Sequence, residues 1–199
     1  MKGRPRKFDT DKALESAMLV FWRNGYEGSS LSELTAAMKI NRPSLYGTFG
    51  DKEQLFLKAI ERYLIDYGSK GVARLNEYDD IIEAIAAFFD SIVKQLTDPQ
   101  LPAGCLISNC SLECGDRFTE IGRRLSQCHA ATEEALYSRL ELAQARGQIS
   151  AAENIRALAQ FFTMTMLGMG VMARTNPNST AIRQLAKTAL RVLPKSLDK

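Results

Sequence analysis

The sequence predicts an all-α protein, and three observations carry that prediction. Apolar residues recur three and four apart along almost the whole 199-residue chain, which is the period of one helix face. Nowhere do apolar and polar residues alternate as in a half-buried strand, and no internal repeat is present. Helix-start signals precede the stripes, among them two capping boxes, Ser30 with Glu33 and Asp51 with Gln54. The expected layout is a flexible basic arm over residues 1–8, a three-helix domain over 9–64 and a larger helical bundle over 65–199.

The elements follow in order. Lys2-Gly3-Arg4-Pro5-Arg6-Lys7 is too polar and too interrupted for a helix. Gly-Arg-Pro flanked by cations resembles the core of an AT-hook, which places arginine in a narrow minor groove, so Arg4 and Arg6 are candidate DNA contacts. Asp9 or Thr10 caps a first helix over about 11–24, with Leu14, Ala17, Met18 and Phe21 inward and Gly25 at its end. Trp22, the single tryptophan, is expected in the core.

Ser30 opens a second helix with Leu31, Leu34 and Met38 on one face. Met38-Lys39-Ile40 breaks the period, and Asn41 can cap a third helix because its side-chain oxygen accepts a backbone N–H of the next turn. Pro43 is tolerated in that first turn, where its missing N–H is not needed. Leu45 and Phe49 point back at the second helix and leave Arg42, Ser44, Tyr46 and Thr48 to the outside. Two short helices around a tight turn, with cationic, hydroxyl and phenolic groups outward, form a helix-turn-helix and point to DNA.

The detail over Phe8 to Leu64 is more specific than the motif. Ala17, Phe21, Gly25-Tyr26, Ser29-Ser30, Leu34, Ala37, Ile40, Asn41, Leu45, Tyr46, Phe49, Lys52 and Leu55 resemble the DNA-binding domain of the tetracycline-repressor (TetR) family. Two departures, Pro43 where glycine is common and Gly47 where histidine or tyrosine often stands, bear on operator preference and not on the fold. The resemblance implies a homodimeric repressor with a near-palindromic operator and a small-molecule effector held in the C-terminal domain. It also implies a phosphate contact at Lys52, a cation that otherwise opposes the helix dipole in the first turn after Asp51. Arg42 is the candidate for reading a base edge, guanine above all. With Ser30 and Pro43 at the two helix starts, Arg4, Arg6, Ser44, Tyr46, Thr48 and Lys52 complete the expected DNA-contact set.

Charge distribution agrees with this assignment. Residues 1–60 hold ten Lys and Arg against seven Asp and Glu, so the whole net charge of +3 lies in the N-terminal part. Affinity for DNA comes largely from phosphate neutralisation, and a basic end on a neutral body suits a docking module. No signal peptide precedes Phe8-Asp9, and the apolar run Phe161 to Ala173 is short against the ~20 residues of a membrane helix. A cytoplasmic protein with no membrane partner is expected. An enzyme is not: there is one histidine, no C-x-x-C, no Gly-rich nucleotide loop and no βαβ pattern. No catalytic residue and no cofactor is assigned. A helical interaction module with an incidental basic tail stays open beside the thiol enzyme, and neither explains the outward face, the arm and the family signature together.

Gly68, Gly71 and Asn76 to Asp80 read as the loosest stretch. Beyond it Ile81, Ile85, Phe88, Phe89, Ile92 and Leu96 stripe a helix ended by Asp98-Pro99. A cysteine-bearing segment runs from Gly104 to Gly115, and Ile121, Leu125, Cys128, Thr132, Leu136 and Leu140 stripe a long helix closed near Gly147. Ala151 to Arg174 is apolar nearly all round and must be covered on more than one side. After Asn176-Pro177-Asn178 a last helix carries Ile182, Leu185, Ala189 and Leu193. In the resembling family the last two helices form a four-helix dimer interface, here about 151–193. Phe88, Phe89, Phe161 and Met164 are candidates for an effector pocket, with plain core or dimer seam as the alternative. Cys105 and Cys110 join them as sensor candidates. Cys105 opens a helix, where a thiolate is favoured, and its Gly-Cys-Leu setting is similar to that of family members that sense reactive compounds. Inert buried thiols and a metal site are the other readings, although no tight C-x₂-C pair is present and no metal is assigned.

Overall fold

The computed structural model describes residues 8–114 and 119–193. Arg4, Arg6 and the rest of the basic arm through Lys7 lie outside the described residues, as does Gly115. Among the described residues ten α-helices run in order: α1 Thr10–Asn24, α2 Leu31–Met38, α3 Arg42–Phe49, α4 Lys52–Tyr63, α5 Lys70–Arg74, α6 Ile81–Leu96, α7 Leu106–Cys114, α8 Thr119–Ala145, α9 Ile155–Thr175 and α10 Ser179–Ala189. No strand occurs among the described residues.

Local chemistry sets most helix ends. The Asp9 carboxylate accepts from the N–H groups of Asp11 and Lys12 and caps α1. Both capping boxes form, Ser30 with Glu33 on α2 and Asp51 with Gln54 on α4. Asn41 Oδ1 accepts from the Ser44 N–H at 2.9 Å and starts α3 with Pro43 in its first turn. The turn between α2 and α3 places Lys39 in the left-handed region at φ 55°, a conformation ordinarily left to glycine. Lys58 of α4 donates to the Phe49 carbonyl at 2.8 Å and so ties the C-terminal end of α3 to the next helix.

The stretch expected to be loose is largely structured. A single π-helical turn over Leu64–Gly68 extends α4, and α5 continues to Arg74. Residues 75–79 are then held from α8. The buried Arg139 donates to the carbonyls of Leu75 at 2.9 Å, Tyr78 at 3.0 Å and Asp79 at 2.8 Å. Local composition marks the turn; a residue sixty positions away fixes it.

The described residues form two hydrophobic cores. The first gathers Phe21, Trp22, Leu34, Leu45, Phe56 and Ile60 of α1–α4, and it also takes in Leu106, Ile107, Cys110 and Cys114 of α7 with Ile121, Leu125 and Cys128 of α8. It therefore runs across the boundary expected at residue 64. The second joins α6, the far half of α8, α9 and α10 through Ile85, Phe88, Phe89, Leu136, Leu140, Phe162 and Met169. The apolar run of 161–173 extends into a 21-residue helix, which by length and composition alone could cross a membrane. One side of it, with Leu158, Ala159, Phe162, Met169 and Ala173, is core. The other side leaves Phe161 40%, Met164 59% and Val171 37% exposed.

Candidate functional site

α3 is eight residues long and buries only Leu45 and Phe49. Phe49 also meets Phe8, ring centroids 6.5 Å apart, so the start of the chain closes over the same end of α3. Everything else on α3 turns outward. Arg42, Pro43, Tyr46 and Gly47 are exposed, while Ser44 and Thr48 are half-buried. Among the described residues no hydrogen bond or ion pair engages the Arg42 guanidinium or the Tyr46 hydroxyl. Ser30 is exposed at the start of α2, its oxygen accepting from the Glu33 N–H at 3.2 Å. The hydroxyl proton is thereby left for another acceptor.

Lys52 has an internal partner that the sequence does not reveal. Its ammonium stands over the Tyr26 ring, 4.6 Å from the centroid. Burial lowers its pKa, and Glu113, Glu27 and Cys114 nearby act in the opposite direction. Burial likewise raises the Tyr26 phenol to about 12, so the ring under the ammonium is neutral.

The side chains of Trp22, Glu113 and Arg174 fasten this module to the bundle at the C-terminal end of α1. The Trp22 indole N–H donates to the Gly104 carbonyl at 3.1 Å. The Glu113 carboxylate accepts from the N–H groups of Tyr26 at 2.8 Å and Glu27 at 2.6 Å. Arg174 of α9 donates to the Arg23 carbonyl at 2.8 Å. Gly25 makes the Glu113 contact possible. At φ +80°, a Cβ there would lie 2.5 Å from a Glu113 carboxylate oxygen.

A cavity of about 60 Å³ lies where α4, α6, α7, α8 and α9 converge. Its polar lining is Tyr63, Gln95, Cys105, Ser108, Cys128, His129 and Thr132, its apolar lining includes Leu64, Ile92, Ile107 and Met166, and among the described residues no charged side chain faces it. Gln95 donates to the Tyr63 hydroxyl at 2.7 Å, which donates in turn to Cys105 Sγ at 3.2 Å. Burial, aided by Cys105, pushes the Tyr63 phenol well above its usual range, so it remains a donor at neutral pH. Ser111 donates to the Ile107 carbonyl at 2.7 Å and meets His129 Nε2 at 2.9 Å. Its one proton being used, the serine oxygen accepts from Nε2–H, which assigns the tautomer and leaves Nδ1 as an acceptor. Burial lowers the His129 pKa and keeps the ring neutral. The Tyr63 ring also packs edge-on against Trp22, centroids 4.9 Å apart, so one side chain belongs both to the cavity wall and to the N-terminal core.

Of the six pocket and sensor candidates, the structure brings only Cys105 to this cavity. Phe88 and Phe89 are buried in the second core and Cys110 in the first. Phe161 and Met164 are on the outer side of α9. Burial raises the pKa of Cys110 and Cys128 and pushes Cys114 up to about 12, so these three are held as thiols. Tyr63, Gln95 and His129 were not legible as site residues, because five helices meet there and no local pattern marks the meeting point.

Residues 13–59 match the family described as bacterial regulatory proteins, tetR family. Residues 82–189, more than half of the chain, match the tetracyclin repressor-like C-terminal domain. The chain belongs to the TetR family. It is thus a DNA-binding transcription regulator, and its all-helical fold is that of the family. Among curated TetR-type proteins it is 36% identical to the HTH-type transcriptional repressor ComR of Escherichia coli K12 over 97% of this chain and 92% of that one. It is 26% identical to the HTH-type transcriptional repressor BdcR of the same organism, over 94% and 88%. Among solved structures, the TetR family regulator CifR, as a triple cysteine mutant complexed with 26-base-pair double-strand operator DNA, superposes with a TM-score of 0.91. That likeness has 33% identity and covers 96% of this chain and 100% of CifR.

Proposed function

We infer that this TetR-family chain acts in the cytoplasm as a homodimeric repressor that reads a near-palindromic operator with α3 and is released when a small uncharged effector fills the five-helix cavity. The observation that carries the reading is the division of α3: its two apolar residues are buried, and its cation, phenol and hydroxyls are turned outward. In this reading α3 enters the major groove, and Arg42 pairs with a guanine edge. Tyr46, Ser44, Thr48 and Ser30 hold phosphates and fix register, with Pro43 at the helix start facing the same groove. Arg4 and Arg6 extend into the neighbouring minor groove. Lys52, held on the Tyr26 ring and following the end of α3 in sequence, completes the phosphate contacts. The exposed stripe Phe161, Met164 and Val171 on α9, with α10 beside it, is the surface for the second subunit.

The switch follows from what the cavity shares with the reading head. Tyr63 belongs to α4, directly after the helix-turn-helix, and Cys105 follows the Gly104 carbonyl that holds Trp22. An effector that displaces either wall shifts α1 and α4, and with them the spacing of the two α3 helices. A coupling of ~1–3 kcal/mol suffices for a 5–150-fold change in operator affinity. The uncharged lining favours a neutral effector, since an ion would be desolvated there without a partner. A second reading keeps the same cavity and makes Cys105 the sensor of an oxidant or electrophile, supported by its place in the cavity lining. Cys105→Ser separates the two: an unchanged inducer response leaves non-covalent binding, and a lost response favours the thiol.

Operator binding tests the main reading. Arg42→Ala is expected to weaken the cognate duplex by about 1–3 kcal/mol and to relax preference at one base position. A uniform loss on all duplexes would make Arg42 a phosphate contact, and no loss would remove α3 from the interface.

A further inference from the structure

Gly47 stands in the interior of α3, where glycine weakens a helix relative to alanine because its backbone loses more freedom on folding. The fold supplies no reason for it. Gly47 is not among the residues with positive φ, so alanine is free to adopt the same backbone. A Cβ built there meets no atom of the described residues within 4 Å, so none of the described elements comes close. Both internal uses of a glycine are absent, and approach from outside remains.

The place of Gly47 on α3 gives that approach a direction. Leu45 and Phe49, the buried residues, each stand two positions away, roughly 160° around the helix. Gly47 therefore lies on the crest of α3, farthest from the core, with Pro43 one turn earlier near the same line. Side chains rise on the two flanks, Arg42 and Tyr46 on one and Ser44 and Thr48 on the other. α3 thus presents a strip of nearly bare backbone between two polar rails.

We propose that Gly47 is a specificity-determining residue of the operator contact, its bare Cα seating the C5-methyl of a thymine on the major-groove floor. The proposal rests on α3 being the reading helix. Polar groups on base edges call for donors and acceptors, which the flanks supply. The thymine methyl is the apolar projection of that groove, and what it needs is room beside carbon. An added Cβ at Gly47 takes that room.

The test begins by selecting an operator from random duplexes with the wild-type protein. Gly47→Ala is expected to raise Tm by about 1–4 °C and yet to bind the selected duplex about tenfold more weakly or worse. Replacing the thymine beneath α3 with deoxyuridine, which lacks the methyl, is expected to recover most of that loss in the variant. Wild-type affinity in Gly47→Ala, a lowered Tm, an equal loss on every duplex, or a loss that deoxyuridine relieves at no thymine of the half-site would each overturn the proposal. Arg42→Ala runs in parallel. If it weakens binding while Gly47→Ala does not, only the role of Gly47 is lost. If neither variant matters, or if no duplex is selected, α3 is not the reader and both fall.

Discussion

Lys39 holds a left-handed backbone at the one point where α2 must turn sharply into α3. For a residue with a Cβ that conformation costs on the order of 1–2 kcal/mol, part of which glycine gives back through its freer unfolded chain. Lys39→Gly is expected to raise stability by about 0.5–1 kcal/mol, read from the denaturation midpoint at constant slope. A decrease would mean that the lysine side chain contributes more than its backbone costs. The sequence marked this position only as a break in period, since lysine carries no preference for the left-handed region. Lys52 illustrates the same gap. Its place in a first turn was legible, whereas its support on the Tyr26 ring depends on a loop twenty-six residues earlier.

Helix starts were the most legible elements because capping is chemistry among four consecutive residues. Asp9, Ser30, Asn41 and Asp51 all accept the N–H groups expected of them. The α2 cap has a measurable signature. Hydrogen bonds from Ser30 lower the Glu33 pKa below its ordinary 4.5. A carboxylate with a depressed folded pKa adds stability that is complete above its unfolded pKa and is lost as pH falls through the folded one. NMR titration of Glu33 is expected to show a midpoint below 4.5, moving back up in Ser30→Ala, and an unshifted midpoint in the wild type would remove the reciprocal cap. The long apolar helix α9 was harder to place. Periodicity shows that its residues are apolar, but with apolar groups nearly all round it does not say which side faces inward. Phe162 and Met169 proved to be core, while Phe161 and Met164 face out. The cavity stayed illegible for a related reason, since Tyr63, Gln95, Cys105 and His129 come from separate elements.

At the scale of the molecule, the first core includes α7 and the start of α8, so the reading head does not pack alone. A ligand among α4, α6, α7, α8 and α9 therefore touches the same side chains that position α1 and α4. The second requirement is a partner, because α3 buries little and carries a single arginine. In the proposed dimer, exposed apolar residues on α9 supply the surface. Replacing both Phe161 and Met164 with aspartate is expected to yield a folded monomer by sedimentation, with operator affinity reduced by tenfold or more because one half-site is lost. An intact dimer in that variant would move the interface elsewhere on the bundle.

In the proposed repressor, two copies of α3 read DNA together in a fixed geometry. Selection of the wild-type protein on random duplexes, followed by sequencing, tests it most directly. The expected result is an inverted repeat with half-sites about one helical turn apart or slightly more, ~34–36 Å, bearing a conserved guanine in each half. A single asymmetric site, or enrichment of no sequence at all, would contradict it.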